Sequence, residues 1–176
     1  MSKKLIEKKM EIEEMNPVFK TKESDWMNLF ELKPNLESEL NEIFLFHGTR
    51  EKYVGLIKET GLEERLGNLD GFFGSGIYFA EDPMLSHQFS IDRRNRTGIY
   101  HVFICRVLIG KWKFVTPQQL KDLTKQDKPR IAPLIENSNE RYDSIVGQVN
   151  TRPREFVIYN RYQVYPEYLI TYKIEL

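Results

Sequence analysis

The sequence predicts a single α+β domain on three observations. Helical spacing and helix start signals gather at the front of the chain. Short apolar runs suited to strands dominate its centre and C-terminal part, around residues 43–46, 77–80, 100–109 and 155–160. The length, 176 residues, suits one domain and is too short for two ordinary ones.

Residues 3–15 set Leu5, Ile6, Met10, Ile12 and Met15 among Lys and Glu, the pattern of a short amphipathic helix. Asn16-Pro17 ends it, because the residue before a proline is pushed out of helical geometry. A second helix is expected over residues 24–32, started by Ser24 and Asp25, and a short polar one over residues 35–42. Residues 43–46 are a buried strand running into His47-Gly48-Thr49. Residues 50–60 show helical spacing through Tyr53, Val54 and Ile57, and Gly61 stands where a helix end wants a left-handed residue. A polar, glycine-punctuated loop over residues 62–76 precedes a strand at 77–80. Asp82-Pro83 then starts a helix reaching about Ile91, with Asp as cap and Pro in the first turn.

After Arg93, Arg94 and Arg96, a long strand is expected at residues 100–109 and its sheet continues at 111–115. Residues 118–123 read as a helical turn, and 125–139, with Pro129 and Pro133, as a surface loop. Residues 142–149 suit a strand or an irregular edge. Two more strands fall at 155–160 and 168–174, separated by 163–166. There is no internal repeat and no low-complexity linker.

Composition excludes several functions. The 26 Lys+Arg balance the 26 Asp+Glu, so the chain lacks the overall positive charge with which nucleic-acid binders gather phosphates. One cysteine, Cys105, permits neither an intramolecular disulfide nor a cysteine-based zinc cluster, and its apolar surroundings suit a small buried residue rather than a nucleophile. No apolar run approaches the ~20 residues of a membrane span. The charge-alternating N-terminus lacks the apolar centre of a signal peptide. An intracellular location, cytoplasmic or nuclear, is expected.

The glycines Gly71, Gly74 and Gly76 are spaced G-x-x-G-x-G and lead into a strand. A Rossmann fingerprint is G-x-G-x-x-G opening a helix, so that reading fails, and there is no Walker motif. A tight turn with close backbone approach remains. His47, His87 and His101 have no metal-ligand spacing, so no metal is expected. Taken alone, His47 reads as a structural histidine at a strand end, and Glu155 as a solvated carboxylate or the partner of a nearby arginine.

Three motifs in order change this. Phe46-His47-Gly48-Thr49, then Gly74-Ser75-Gly76-Ile77-Tyr78-Phe79-Ala80, then Arg154-Glu155-Phe156-Val157-Ile158-Tyr159 resemble the catalytic domain of the poly(ADP-ribose) polymerase family. The ending, residues 165–172, is similar to tankyrase and to the mono-ADP-ribosylating members. The similarity runs from about residue 40 to the C-terminus. It implies an ADP-ribosyltransferase, diphtheria-toxin-like fold: two small twisted antiparallel sheets flanked by short helices, with NAD+ as substrate in the cleft between them.

By the same resemblance, His47, Tyr78 and Glu155 form the family's His-Tyr-Glu catalytic triad. His47 holds a ribose hydroxyl, the Gly48 backbone and Ser86 hold the nicotinamide carboxamide, and Tyr78 packs on the nicotinamide ring. Phe89 falls where the family more often has a second stacking tyrosine, a change stacking tolerates because it needs only the aromatic face. Thr49, Gly76 and Ala80 complete the implied cofactor-binding set. Arg65, in a loop bordering the adenosine pocket, is a further candidate contact.

Residues 41–176 are thus expected to be the catalytic domain, with residues 1–40 a helical extension packed on it. The expected activity is NAD+-dependent transfer of ADP-ribose to a protein acceptor, the chain itself included, with no membrane involved. Retention of Glu155 leaves polymer synthesis chemically open. The short segment between Phe114 and Glu155, and residues 142–147, resemble the mono-transferring members and tilt the expectation toward mono-transfer. Two alternatives are a catalytically weak module that binds NAD+ or ADP-ribose, and a transferase acting on nucleic acid. The latter rests on Arg93, Arg94 and Arg96, and the zero net charge weighs against it.

Overall fold

The computed structural model describes residues 36–68, 71–92, 95, 97–124 and 129–174. The helices expected at 3–15 and 24–32, nearly all of the expected extension 1–40, and Arg93, Arg94 and Arg96 lie outside the described residues.

The described chain opens with a single 3-10 turn, Ser38–Leu40, in place of the short helix expected over 35–42. The cause is Asn41. It sits at φ 53, buried, with its side chain donating to the Gly110 carbonyl at 3.1 Å, and this turns the chain into a strand at once. Strand β1 (Glu42–Thr49) pairs along its whole length with β3 (Ile99–Leu108), from Glu42 opposite Leu108 to Thr49 opposite His101. Helix α1 (Glu51–Thr60) follows β1 and ends at Gly61, whose φ of 77 a side chain would resist. Strand β2 (Ile77–Ala80) leads to helix α2 (Pro83–Ser90), capped as expected by Asp82, whose carboxylate accepts the Met84 N–H at 2.7 Å. Such a cap contributes about 1 kcal/mol.

The second half supplies β4 (Trp112–Val115), α3 (Pro117–Thr124), β5 (Ser144–Gly147), β6 (Glu155–Ile158) and β7 (Val164–Lys173). Three expectations are corrected here. Of the two readings of residues 142–149 the strand holds and the irregular edge does not: β5 is buried and lies between β4 and β6. Strand β7 starts at Val164, inside the segment 163–166 expected to separate two strands. Its Pro166 is tolerated because β7 is an edge strand and bulges there, Glu167 falling between the pairs Cys105–Pro166 and Ile104–Tyr168. The described part of the 125–139 loop is not wholly at the surface, since Pro129, Ala132 and Ile135 are buried.

The sheet also differs from two small antiparallel ones. Hydrogen bonding joins seven strands in the order β4-β5-β6-β2-β1-β3-β7, and β4 runs parallel to β5 because α3 and the loop after it return the chain to the same end. The join is narrow, however. Strands β1 and β2 share the single pair Phe46–Ala80 and then part. The fold is α+β, with a mixed sheet and few helices.

Three apolar clusters hold the sheet. Leu45, Cys105, Val107, Phe156 and Ile158 centre the largest, all fully buried. Each such aliphatic or aromatic side chain contributes about 1.5–3 kcal/mol through burial. A second cluster, with Phe73, Val115, Leu120, Ile145 and Val157, packs beneath the β4-β5-β6 half. The third, with Phe44, Phe46, Val102 and Ile104, backs β1 and β3, against both of which α2 packs. Cys105 is buried as expected, and burial pushes its thiol pKa up. Among the described residues no helix is long and apolar enough to cross a membrane.

Candidate active site

The parting of β1 from β2 creates a cleft of about 520 Å³. Beyond the Phe46–Ala80 pair the two strands no longer exchange backbone hydrogen bonds, so polar groups that a sheet would consume must find other partners. His47 takes one of them: its Nδ1 lies 2.8 Å from the Tyr78 carbonyl oxygen. A carbonyl can only accept, so Nδ1 carries the proton and Nε2 keeps a lone pair. The imidazole is half-buried and tilted against Phe79 with ring centroids 5.6 Å apart, and burial lowers its pKa below 6.5. His47 is therefore a neutral acceptor at neutral pH.

Tyr78 and Glu155 are set by the β2–β6 ladder. Tyr78 faces Val157 and Ala80 faces Glu155, so the tyrosine ring and the carboxylate are diagonal neighbours on one face of the sheet. Glu155 is also paired through Gly147 on its other side, which fixes its backbone within the sheet interior. Only 6% of Glu155 is exposed, and burial raises its carboxyl pKa, partly offset by the charge of Arg152. The Tyr78 hydroxyl donates to the Gly74 carbonyl at 2.7 Å and accepts the Phe73 N–H at 2.9 Å. Burial pushes its pKa up, so the phenol keeps its proton.

Helix α2 approaches β1 closely at Gly48. A Cβ there would overlap the Ser86 carbonyl oxygen and lie 2.6 Å from its carbon, so the contact needs glycine. Ser86 is buried and its hydroxyl donates to the Phe46 carbonyl at 3.0 Å, leaving the oxygen free to accept. Phe89, one turn on, stands 54% exposed on the cleft wall. Next to the carboxylate, Arg154 and Glu81 form a two-pronged ion pair that ties the start of β6 to the end of β2.

His47, Gly48, Thr49, Gly76, Tyr78, Ala80, Ser86, Phe89 and Glu155 thus line one cleft. Arg65 does not. Its exposed guanidinium is held by Glu63 at 2.8 and 2.9 Å. Sequence reasoning missed the apolar wall from α1, where Tyr53, Leu56, Ile57 and Thr60 all border the cleft at helical spacing. A signal for it existed, since Leu56 completes the face begun by Tyr53. It also missed Phe72 and Arg152, which stand in loops without periodicity. Arg152 is the one lysine or arginine among the described lining residues.

A histidine, a tyrosine and a glutamate on the neighbouring strands β1, β2 and β6 thus border one cleft. The family model for the poly(ADP-ribose) polymerase catalytic domain matches residues 3–174, and the chain belongs to that family. Its relatives include the protein mono-ADP-ribosyltransferase PARP12 of Mus musculus, 33% identical over 148 residues, covering 84% of this chain and 19% of the relative. PARP12 of Homo sapiens is 33% identical over 141 residues, covering 80% and 18%. Protein mono-ADP-ribosyltransferase PARP11 of Homo sapiens is 30% identical over 154 residues, covering 76% and 42%. The chain spans about a fifth of the length of the first two of these.

Proposed function

We propose that this chain is an NAD+-dependent ADP-ribosyltransferase that transfers single ADP-ribose units to a protein acceptor. The observation that carries the reading is the convergence of His47, Tyr78 and Glu155, from three separate stretches of sequence, on one cleft of about 520 Å³. The relatives' names favour mono-transfer over polymer synthesis. A sheet parted at one residue pair supports a diphtheria-toxin-like arrangement, with residues 41–176 as the catalytic unit.

Nicotinamide stacks on the Tyr78 ring, its carboxamide meeting Gly48 and Ser86. The His47 Nε2 lone pair accepts from a ribose hydroxyl. As the bond between C1″ and the ring nitrogen breaks, the electron pair leaves with neutral nicotinamide and the ribose takes on oxocarbenium character. The Glu155 carboxylate faces that developing charge and accepts the proton of the attacking acceptor, whose nucleophilic atom bonds to C1″. Fixed placement of ring and ribose does much of the remaining work.

Labelled NAD+ incubated with wild type and with Glu155→Ala tests this. Nicotinamide release and discrete labelling of protein by wild type, lost in the variant, are expected. NAD+ binding without release by wild type, even with acceptors added, would make the chain a binding module instead. A high-mass smear would make it a polymerase.

A further inference from the structure

The loop between α1 and β2 borders the cleft through Leu66, Gly67, Asn68, Gly71 and Phe72, with Leu66 73% and Phe72 53% exposed. Side chains this apolar and this exposed have little packing to hold them, so their position is set by what fixes the loop's two ends. The short segment that follows β6 holds the near end and, beside the Tyr78 hydroxyl, contributes to the far one.

At the far end Phe73 is fully buried, its ring beneath Gly147. The Tyr159 hydroxyl donates to its carbonyl at 2.7 Å. At the near end, Arg161 makes three contacts. Its guanidinium donates to Glu63 at 2.7 Å and to the Thr60 carbonyl, and its backbone N–H donates to the Glu64 carboxylate at 3.1 Å. Glu63 also receives Arg65, so one carboxylate gathers both guanidiniums. Strand β6 therefore begins with Glu155 and runs directly into the two residues that hang the loop.

We infer that Tyr159 and Arg161 are positioning residues that fix the height of this loop over the cleft and thereby set the affinity for the dinucleotide. This rests on the proposed transferase reading. Neither side chain lines the cleft, so both act through the loop. A pre-placed loop removes an ordering cost from binding, and loosening either end restores that cost. The substitutions thus raise KM and leave the chemical step, which depends on Tyr78 and Glu155, nearly untouched.

The test compares the full chain as wild type, Arg161→Gln, Arg161→Lys and Tyr159→Phe. It reads hydrogen exchange of peptides across residues 61–76 without NAD+, calorimetric NAD+ affinity, and nicotinamide-release kinetics. Arg161→Gln should speed exchange in the loop while peptides of β1 and β6 keep their protection. It should weaken NAD+ binding and raise KM about tenfold, with kcat within about twofold of wild type. Tyr159→Phe should act in the same direction, and Arg161→Lys should recover part of the affinity. Unchanged loop exchange, or a fall in kcat with KM unchanged, would overturn the inference in favour of a folding role alone. Should wild type bind NAD+ but release no nicotinamide, the transferase reading fails, while exchange and affinity still decide the role of the two anchors.

Discussion

The His47 imidazole donates from Nδ1 to the Tyr78 carbonyl at 2.8 Å, across the point where β1 and β2 cease to pair. One hydrogen bond thus replaces the missing sheet ladder, selects the tautomer and turns Nε2 into an acceptor. The pH dependence follows from signs. Burial holds the His47 pKa below 6.5 and lifts that of Glu155 above 4.5, and protonating either removes an acceptor the proposed reaction uses. The profile of kcat/KM against pH should therefore fall toward acid, with the His47 contribution entering below pH 6.5. His47→Asn, which cannot titrate, should lower kcat/KM at neutral pH and remove that contribution from the acid arm.

Glu155 should cost stability as ionised. Its folded pKa is raised, so the native state holds the proton more tightly than the unfolded chain. The resulting penalty is absent below about pH 4.5 and grows as pH rises through the folded value. Glu155→Gln keeps the shape and removes the charge. Nicotinamide release should fall about 100-fold or more. The melting temperature at neutral pH should rise by a few degrees over wild type, and this gain should vanish when melting is repeated below pH 4. A variant that loses activity and stability together would place Glu155 among the structural residues.

Gly48 couples β1 to α2, and its substitution should separate binding from folding poorly. Because the overlapped neighbour is the Ser86 backbone, no side chain can swing aside to admit a Cβ. Gly48→Ala should cost about 1–3 kcal/mol of stability by overpacking. It should also push α2 away from the cleft, carrying Ser86 and Phe89 with it. Denaturant unfolding checks the first effect, and a raised KM for NAD+ in the folded fraction checks the second.

The strands that carry the site were legible because each is a short apolar run ending at a polar residue. Residues 77–80 coincide with β2, and Glu155 heads both the expected strand and β6. Long-range features left weaker marks. Strand β5 is buried on both faces, so it shows no alternation to distinguish interior from edge. Strand β7 hides behind Pro166, which only an edge position with a bulge permits. The single β1–β2 pair, which opens the cleft, is a property of two strands and has no local signature. Arg65 and Arg152 show the same limit in side chains. Both are loop arginines, and only the folded chain turns one toward Glu63 and the other toward Glu155.

The Tyr78 ring and hydroxyl can be separated by mutation, because each has a different partner. The ring serves the proposed nicotinamide site, while the hydroxyl holds the Phe73 N–H and the Gly74 carbonyl. Tyr78→Phe keeps the ring and leaves two buried backbone groups without it, a loss of about 1–3 kcal/mol in stability. Gly71 reports on the same hydroxyl from the other side, since a Cβ there would overlap it. Gly71→Ala alone should therefore displace Tyr78 and destabilise strongly. The double variant Gly71→Ala/Tyr78→Phe should lose less than the sum of the two, because removing the oxygen relieves the worst overlap. Some strain persists, as the same Cβ would lie 2.6 Å from the Tyr78 ring carbon and 2.9 Å from the Gly74 oxygen. A double-mutant cycle on unfolding free energies measures this coupling, and strict additivity would mean that the hydroxyl and Gly71 do not meet in solution.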